Sequence, residues 1–334
     1  MTLALTPEDA YRKAYDHYLS QRYASARDIC RMVLTSDPGH RDAAYLLAVI
    51  EHRLGAPDEG DRHLQQAVAR RPFSARLSYR PAAAPRYAGV PHPGLDAILS
   101  RSLPAQIACL QSFAAWAPSL SAIQAIADDA VAPYWNNAWI PPLDGIALYG
   151  MTASRRPRLY LEVGSGNSTK FVRRAIADHG LDTKIVSIDP NPRAEIDDLC
   201  DEVIRAPLEA TDPAVFARIG AGDIVFIDNS HQCFMNSDVT VFFTEILPAL
   251  APGAIVGIHD IFLPFDYPAE WTEKFFSEQY LLACYLLAGT AAFAVELPLH
   301  YLSRRPEAAA AIAALCADCG GVSATGSSFW LIKS

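Results

Sequence analysis

The sequence predicts an α/β fold: a doubly wound, mostly parallel seven-stranded sheet preceded by an α-helical repeat domain. Three observations lead there. From Arg158 onward, short apolar runs alternate with longer amphipathic ones, the pattern of parallel strands joined by helical crossovers and covered on both faces. The stretch Arg158–Phe171, RLYLEVGSGNSTKF, reads as a strand, a sharp glycine turn and a helix start. Before residue 73, small residues and prolines recur at a spacing of 34, a period typical of stacked helix pairs.

The bulk composition narrows the function. A chain of 334 residues, 51% of them hydrophobic, can build two domains with a sizeable core. The net charge of 28 − 37 = −9, without a long basic run, argues against nucleic acid as a partner. The opening MTLALTPEDAYRK lacks a basic region followed by a long apolar one, so no signal peptide is expected. No uncharged apolar run reaches the about 18 residues that would span a membrane. Seven scattered cysteines, an odd number, fit a reducing cytoplasm better than a disulfide framework. Cys316 and Cys319 form a lone CxxC with no second pair, so they read as ordinary thiols rather than a zinc site.

Residues 1–72 form the first expected domain. Pro38 and Pro72 lie one period apart, and Ala14/Ala48, Ala26/Gly60, Cys30/Leu64 and Val33/Ala67 correspond in the same register. Helices are expected at about 7–20, 24–36, 41–54 and 58–70. Gly55 supplies the turn of the second unit, where Gln21 stands in the first. The pattern resembles tetratricopeptide repeats. Such a pair either offers a groove to a protein partner or docks on another surface, including that of a second copy in a homodimer. Two units are few for a free-standing solenoid, which favours docking or dimerisation.

Residues 73–134 read as linker and bridging helices. Pro72 to Gly94 is rich in Pro, Ala and Arg, and 95–131 looks helical with a break at Leu103-Pro104. Trp135 and Trp139 flank paired amides just before the apolar stretch Leu143–Met151. These aromatics either close over a pocket or serve as core and cap residues. The third domain, 135–334, carries candidate strands at 158–163, 184–188, 202–204, 223–227, 254–258, 291–299 and 327–332. Its candidate helices are 168–179, 193–199, 212–219, 236–250, 269–288 and 306–319.

The glycine turn is the first chemical signal. Gly164-Ser165-Gly166 before a helix start presents free backbone N–H groups and a positive dipole end to a nucleotide-like ligand. A dinucleotide fingerprint needs a third glycine where Thr169 stands, which disfavours a pyrophosphate-binding dehydrogenase. Glu162 is an acid inside an apolar strand, and such a carboxylate must find partners. Asp189 ends the second strand some 23 residues beyond Gly166, where a carboxylate either accepts both ribose hydroxyls or caps its own turn.

The segments LEVGSGNSTKF, VSIDPNP, DIVFIDNSH and LAPGAIVGIHDIF, in this order, resemble class I S-adenosylmethionine-dependent methyltransferases, in the branch with an EVGSG-x-ST loop. The resemblance covers about 135–334, roughly 60% of the chain. It implies a Rossmann-like seven-stranded sheet with a reversed last strand, for which Ser327–Lys333 is the candidate. It also implies S-adenosyl-L-methionine as cofactor. Glu162, Gly164, Ser165, Gly166 and Ser168 would surround its methionine part, Asp189 its ribose and Ala206–Glu209 its adenine, with Asp228 beside the donor.

Asp228 and His231 leave the fourth strand, and His259 and Asp260 leave the fifth, so four ionisable groups converge beside the expected methyl donor. In one reading His231 or His259 is a general base, oriented by a carboxylate such as Asp260. In another, Asp228, His231 and His259, with Asp260 as a further candidate, hold a divalent metal that acidifies an acceptor hydroxyl. A third reading is structural hydrogen bonding. Phe262, Phe265, Asp266 and Tyr267 either shape an acceptor pocket or strap the next helix. The leading expectation is methyl transfer to an oxygen or nitrogen of a small molecule. The alternatives are a protein methyltransferase, or a catalytically idle scaffold that recruits a partner through its repeats.

Overall fold

The computed structural model describes residues 6–56, 58–60, 62–63, 85–127, 129–137, 139–192, 196–289, 292–317 and 324–334. They fall into two compact units, Met1–Pro81 and Ala82–Ser334.

The first unit contains α1 (Pro7–Leu19), α2 (Tyr23–Ser36) and α3 (Arg41–Arg53). Thr6 caps α1 by accepting the Asp9 N–H, and Pro7 occupies the first turn, where its missing N–H costs nothing. Ala14, Ala26, Cys30, Val33, Ala48 and Gly60, the positions marked by the 34-residue spacing, are all buried. A Cβ on Gly60 would sit 2.5 Å from the His52 ring, so the chain there approaches α3 more closely than alanine allows. Gln21 and Gly55, one period apart, both adopt positive φ, 57° and 81°. Leu64, Ala67, Pro72 and most of the expected helix 58–70 lie outside the described residues.

The second unit is built on a seven-stranded sheet of order β3-β2-β1-β4-β5-β7-β6. Its strands are β1 (Leu159–Val163), β2 (Lys184–Ile188), β3 (Glu202–Ile204), β4 (Ile224–Ile227), β5 (Ile255–Ile258), β6 (Phe293–Pro298) and β7 (Phe329–Lys333). The first five pair in parallel, and β7 runs antiparallel to both β5 and β6. β1, β4 and β5 are apolar along most of their length because helices cover both faces. Between β1 and β4 the strand order reverses. Connections from these two strands depart in opposite directions and leave a crevice at their carboxyl ends.

The bridging segment belongs to this unit's core. Leu95 and Leu99 of α4 (Pro93–Leu99) and Leu110 of α5 (Leu103–Ser112) are buried in one cluster with the sheet residues, together with Phe113 and Trp135. The helix expected over 95–131 is instead a series of short pieces ending at Ser121. Pro104 and Pro118 stand in first turns, where proline starts a helix instead of interrupting one. α6 (Pro142–Arg155) and α7 (Asn167–His179), which flank β1 in sequence, pack together.

Three other expected helices are corrected. Of 193–199, the described part holds only a single 3-10 turn, Asp197–Leu199. Pro213–Arg218 is also 3-10, capped by Asp212. The stretch 269–288 divides into a 3-10 turn, Ala269–Lys274, and α8 (Glu278–Leu287), because Phe275 takes the left-handed conformation at φ 53°. A later helix, α9 (Pro306–Leu315), precedes β7. Asp318 and Cys319 of the CxxC lie outside the described residues. Among the described residues, no helix is long and apolar enough to cross a membrane.

Candidate active site

The glycine turn takes its shape from what lies behind it. Gly164 has φ 79°, and a Cβ there would fall 1.7 Å from the carbonyl oxygen of Asp228. Only glycine fits, because β1 and β4 exchange backbone contacts at that level: the Asp228 N–H donates to the Val163 carbonyl at 2.8 Å. Gly166 faces the other way, with no atom within 4 Å of an ideal Cβ. The space belongs to a cavity of about 290 Å³ at the carboxyl ends of β1, β2 and β4. Gly164, Ser165, Gly166, Ser168, Asp189 and Asp228 line it, as do Pro207, Leu208 and Glu209 from the stretch expected near adenine, and Trp139.

Two carboxylates hold the loop. Asp189 accepts the Ser165 N–H at 2.9 Å and, through its other oxygen, the Asn191 N–H at 2.7 Å. It therefore caps its own turn and braces the glycine loop while still facing the cavity. Glu162 is fully buried and does not line the cavity. It accepts hydrogen bonds from the Tyr160 hydroxyl, at 2.9 Å, and from Thr169, whose oxygen in turn accepts the Gly166 N–H at 3.2 Å. Glu162 thus reaches the loop through Thr169. Burial raises its carboxyl to about 7, against hydrogen bonds from Ser168, Thr169 and Tyr160.

The second half of the site is a cluster at the ends of β4 and β5. Asp228 Oδ1 lies 3.3 Å from His231 Nε2 and 3.4 Å from His259 Nδ1. The Asp260 carboxylate lies 3.5 Å from each of the same two nitrogens. Behind each ring stands a fully buried carboxylate. Glu278, opening α8, is 2.8 Å from His231 Nδ1, and Asp144, in the first turn of α6, is 3.3 Å from His259 Nε2. Glu278 also accepts from Asn229, at 3.1 Å. His231 and Asp260 both hold positive φ, 58° and 55°, a backbone cost that surrounding contacts must offset.

Four carboxylates around two imidazoles decide the electrostatics. Burial alone would drive the proton from His231, but hydrogen bonds to Asp228 and Glu278 outweigh it and raise the ring to about 10. His259 is likewise raised despite burial, chiefly by the charges of Asp260 and Asp228. Burial pulls Asp228 upward, yet the His259 and His231 rings hold it well below the carboxylate range. Neither histidine lines the cavity; both stand behind Asp228. The ligand atoms of Asp228, His259 and Asp260 lie within 4.8 Å of one another, a spacing that suits a metal ion. All three are among the expected candidate ligands, and His231 Nε2 faces the same Asp228 and Asp260 carboxylates. His259 Nδ1 is buried and makes no hydrogen bond.

The remaining expected residues separate. Trp135 is a core residue against Phe171, with ring centroids 5.4 Å apart. Phe262, Phe265 and Tyr267 join an aromatic cluster with Trp271, Phe276 and His300 and do not line the cavity. Asp266 accepts backbone N–H groups of Arg86 and Tyr87 and the Tyr280 hydroxyl, so it fastens the segment before α4. Sequence reasoning missed Asp144 and Glu278. Both carried a readable signal, an acid next to an apolar run, here at the start of a helix, whereas Glu162 lies inside a strand.

Residues 161–261, from β1 to just past β5, match the family model of a methyltransferase domain, and this match supports a methyltransferase. Among solved structures, the chain is similar to an O-methyltransferase from Bacillus cereus in complex with SAH, at 15% identity over 74% of this chain and 92% of that one, TM-score 0.35. It is similar to an SAH-bound methyltransferase from Podospora anserina, at 16% identity over 66% and 94%, TM-score 0.39. It is also similar to the plantazolicin methyltransferase BpumL in complex with SAH, at 12% identity over 73% and 100%, TM-score 0.35. No curated protein matches the chain.

Proposed function

We propose that this chain is a class I S-adenosylmethionine-dependent methyltransferase acting on an oxygen or nitrogen of a small molecule. The observation that carries this reading is one cavity lined by the glycine loop, Asp189 and Asp228, the last backed by the histidine cluster. The residues fit the cofactor. The open face of Gly166 admits its methionine part, the first-turn N–H groups of α7 face its carboxylate, and each Asp189 oxygen keeps a lone pair for a ribose hydroxyl. When bound, S-adenosylmethionine supplies an electrophilic methyl group.

The chain's own part is positioning and charge. Asp228 is the member of the cluster that reaches the cavity, so it is the group that meets the acceptor's N–H or O–H. His231 and His259 balance its charge from behind. A general-base role for either ring requires loss of its own proton, which the surrounding carboxylates oppose at neutral pH. A ring acting as base would instead make turnover rise on the alkaline side, as it gives up its proton. Calorimetry with S-adenosylmethionine is the direct test: micromolar binding is expected, and an absence of heat overturns the proposal.

A second reading concerns the cluster itself. The convergence of His259 Nδ1 with Asp228 and Asp260 favours a divalent cation held by the three, which would displace the Nδ1 proton. Such a cation would lower the pKa of an acceptor hydroxyl. For residues 1–72 we propose a tetratricopeptide-like pair that serves docking or dimerisation, based on the buried small residues at the 34-residue spacing.

A further inference from the structure

We infer that Asp144 is a positioning residue that selects which nitrogen of His259 is offered to a divalent cation; this rests on the cation reading of the cluster. Asp144 stands in the first turn of α6, far in sequence from the groups it serves, and it is fully buried. Its carboxylate is held on one side by main-chain donors: Ser328 N–H reaches Oδ1 at 2.7 Å, and Ser327 N–H reaches Oδ2 at 2.9 Å. On the other side Oδ2 faces His259 Nε2 at 3.3 Å. A carboxylate so placed only accepts, so Nε2 keeps a proton in both the cationic and the neutral ring, and Nδ1 is the nitrogen that a cation can claim by displacing its proton. Nδ1 is the nitrogen that is buried without a hydrogen bond, 3.4 Å from Asp228 and 3.5 Å from Asp260.

The arrangement has the form of a carboxylate–histidine–metal triad, in which the outer carboxylate fixes the ring's tautomer and angle. Ser327 extends the brace, because its hydroxyl also donates to Asp260 Oδ1 at 3.1 Å. One turn at the start of β7 therefore aligns two of the three ligands. Asp144 touches neither cavity nor cation and acts only through His259.

Replacing Asp144 by asparagine tests this. The amide oxygen must stay with the Ser327 and Ser328 N–H groups, which turns its NH2 toward His259 Nε2. That nitrogen becomes an acceptor, and the ring proton moves to Nδ1 and blocks it. Mn2+ binding to the full-length protein, followed by electron paramagnetic resonance, should weaken by about 10- to 100-fold in Asp144→Asn. Calorimetric binding of S-adenosylmethionine to the same preparation should be unchanged. Equal Mn2+ affinity in the two proteins, or no Mn2+ binding by the unaltered protein, overturns the inference. In both cases intact cofactor binding leaves the methyltransferase reading standing. If the variant does not fold, long-range 15N spectra of the unaltered protein decide. A ring that keeps Nε2–H and loses its Nδ1 proton on adding Mg2+ supports the inference, and a ring that keeps Nδ1–H overturns it.

Discussion

The glycine-loop end and the histidine end of the site lie on neighbouring strands yet are assembled by different means. At the loop end the working groups are mostly main chain: Gly164, Ser165 and Gly166 come from one turn, and Asp189 joins them from the adjacent strand. At the histidine end the working groups are side chains from four places, Asp144 before the sheet, Asp228 and His231 after β4, His259 and Asp260 after β5, and Glu278 on α8. A loop of main-chain donors tolerates little change in backbone but much in surroundings. A cluster of buried charges tolerates the reverse, since each member is stable only while its partners are present.

Substitutions at the two ends should therefore fail differently. Gly164→Ala is expected to be the most damaging, because the new Cβ has nowhere to go beside the Asp228 carbonyl. A loss of about 3 kcal/mol in urea unfolding, with no detectable cofactor binding, is the expected result. Ordinary stability would show that the turn can open. His259→Ala should spare the loop end: without one of the two rings that balance and orient Asp228, methyl transfer to a responsive acceptor falls by about 10²-fold, while cofactor affinity holds. Joint loss of both would mean that the two ends form a single unit.

Asp189→Ala is expected to weaken cofactor binding by about 1.5–3 kcal/mol, the worth of hydrogen bonds to a charged group, with only slight loss of stability. Glu162 gives a pH test. Its folded-state value of about 7 stands above the unfolded value of 4.5. Its contribution is therefore fully present below pH 4.5 and is lost as pH rises to about 7, on the order of 3 kcal/mol. In Glu162→Gln that slope should vanish from stability measured by denaturant titration. An unchanged slope would place the titrating group elsewhere. The smallest effect is expected from removing residues 1–81: all residues lining the cavity lie beyond them, so cofactor binding should persist. If acceptor turnover alone disappears, the acceptor is a protein gripped by the repeats.

The strands were the most legible part of the fold. β1 through β5 lie within a residue of their expected ends, because buried parallel strands are short apolar runs bounded by turn residues. The helices around Phe275, Pro104 and Pro118 were less so, since a left-handed residue or a first-turn proline divides a run that composition alone leaves continuous. The loop end was legible for the same local reason as the strands: a glycine turn and a strand-end acid announce themselves at fixed spacing.

The sequence by itself therefore determined the sheet, the crevice and the loop, because each follows from periodicity and from backbone freedom within a few residues. Which charge faces which ring was decided only by the tertiary structure. Asp144 and His259, 115 positions apart, and His231 and Glu278, 47 apart, carry no pattern that pairs them. Their pairing is set by how α6 and α8 pack against the sheet, and with it the protonation that distinguishes a base from a cation site.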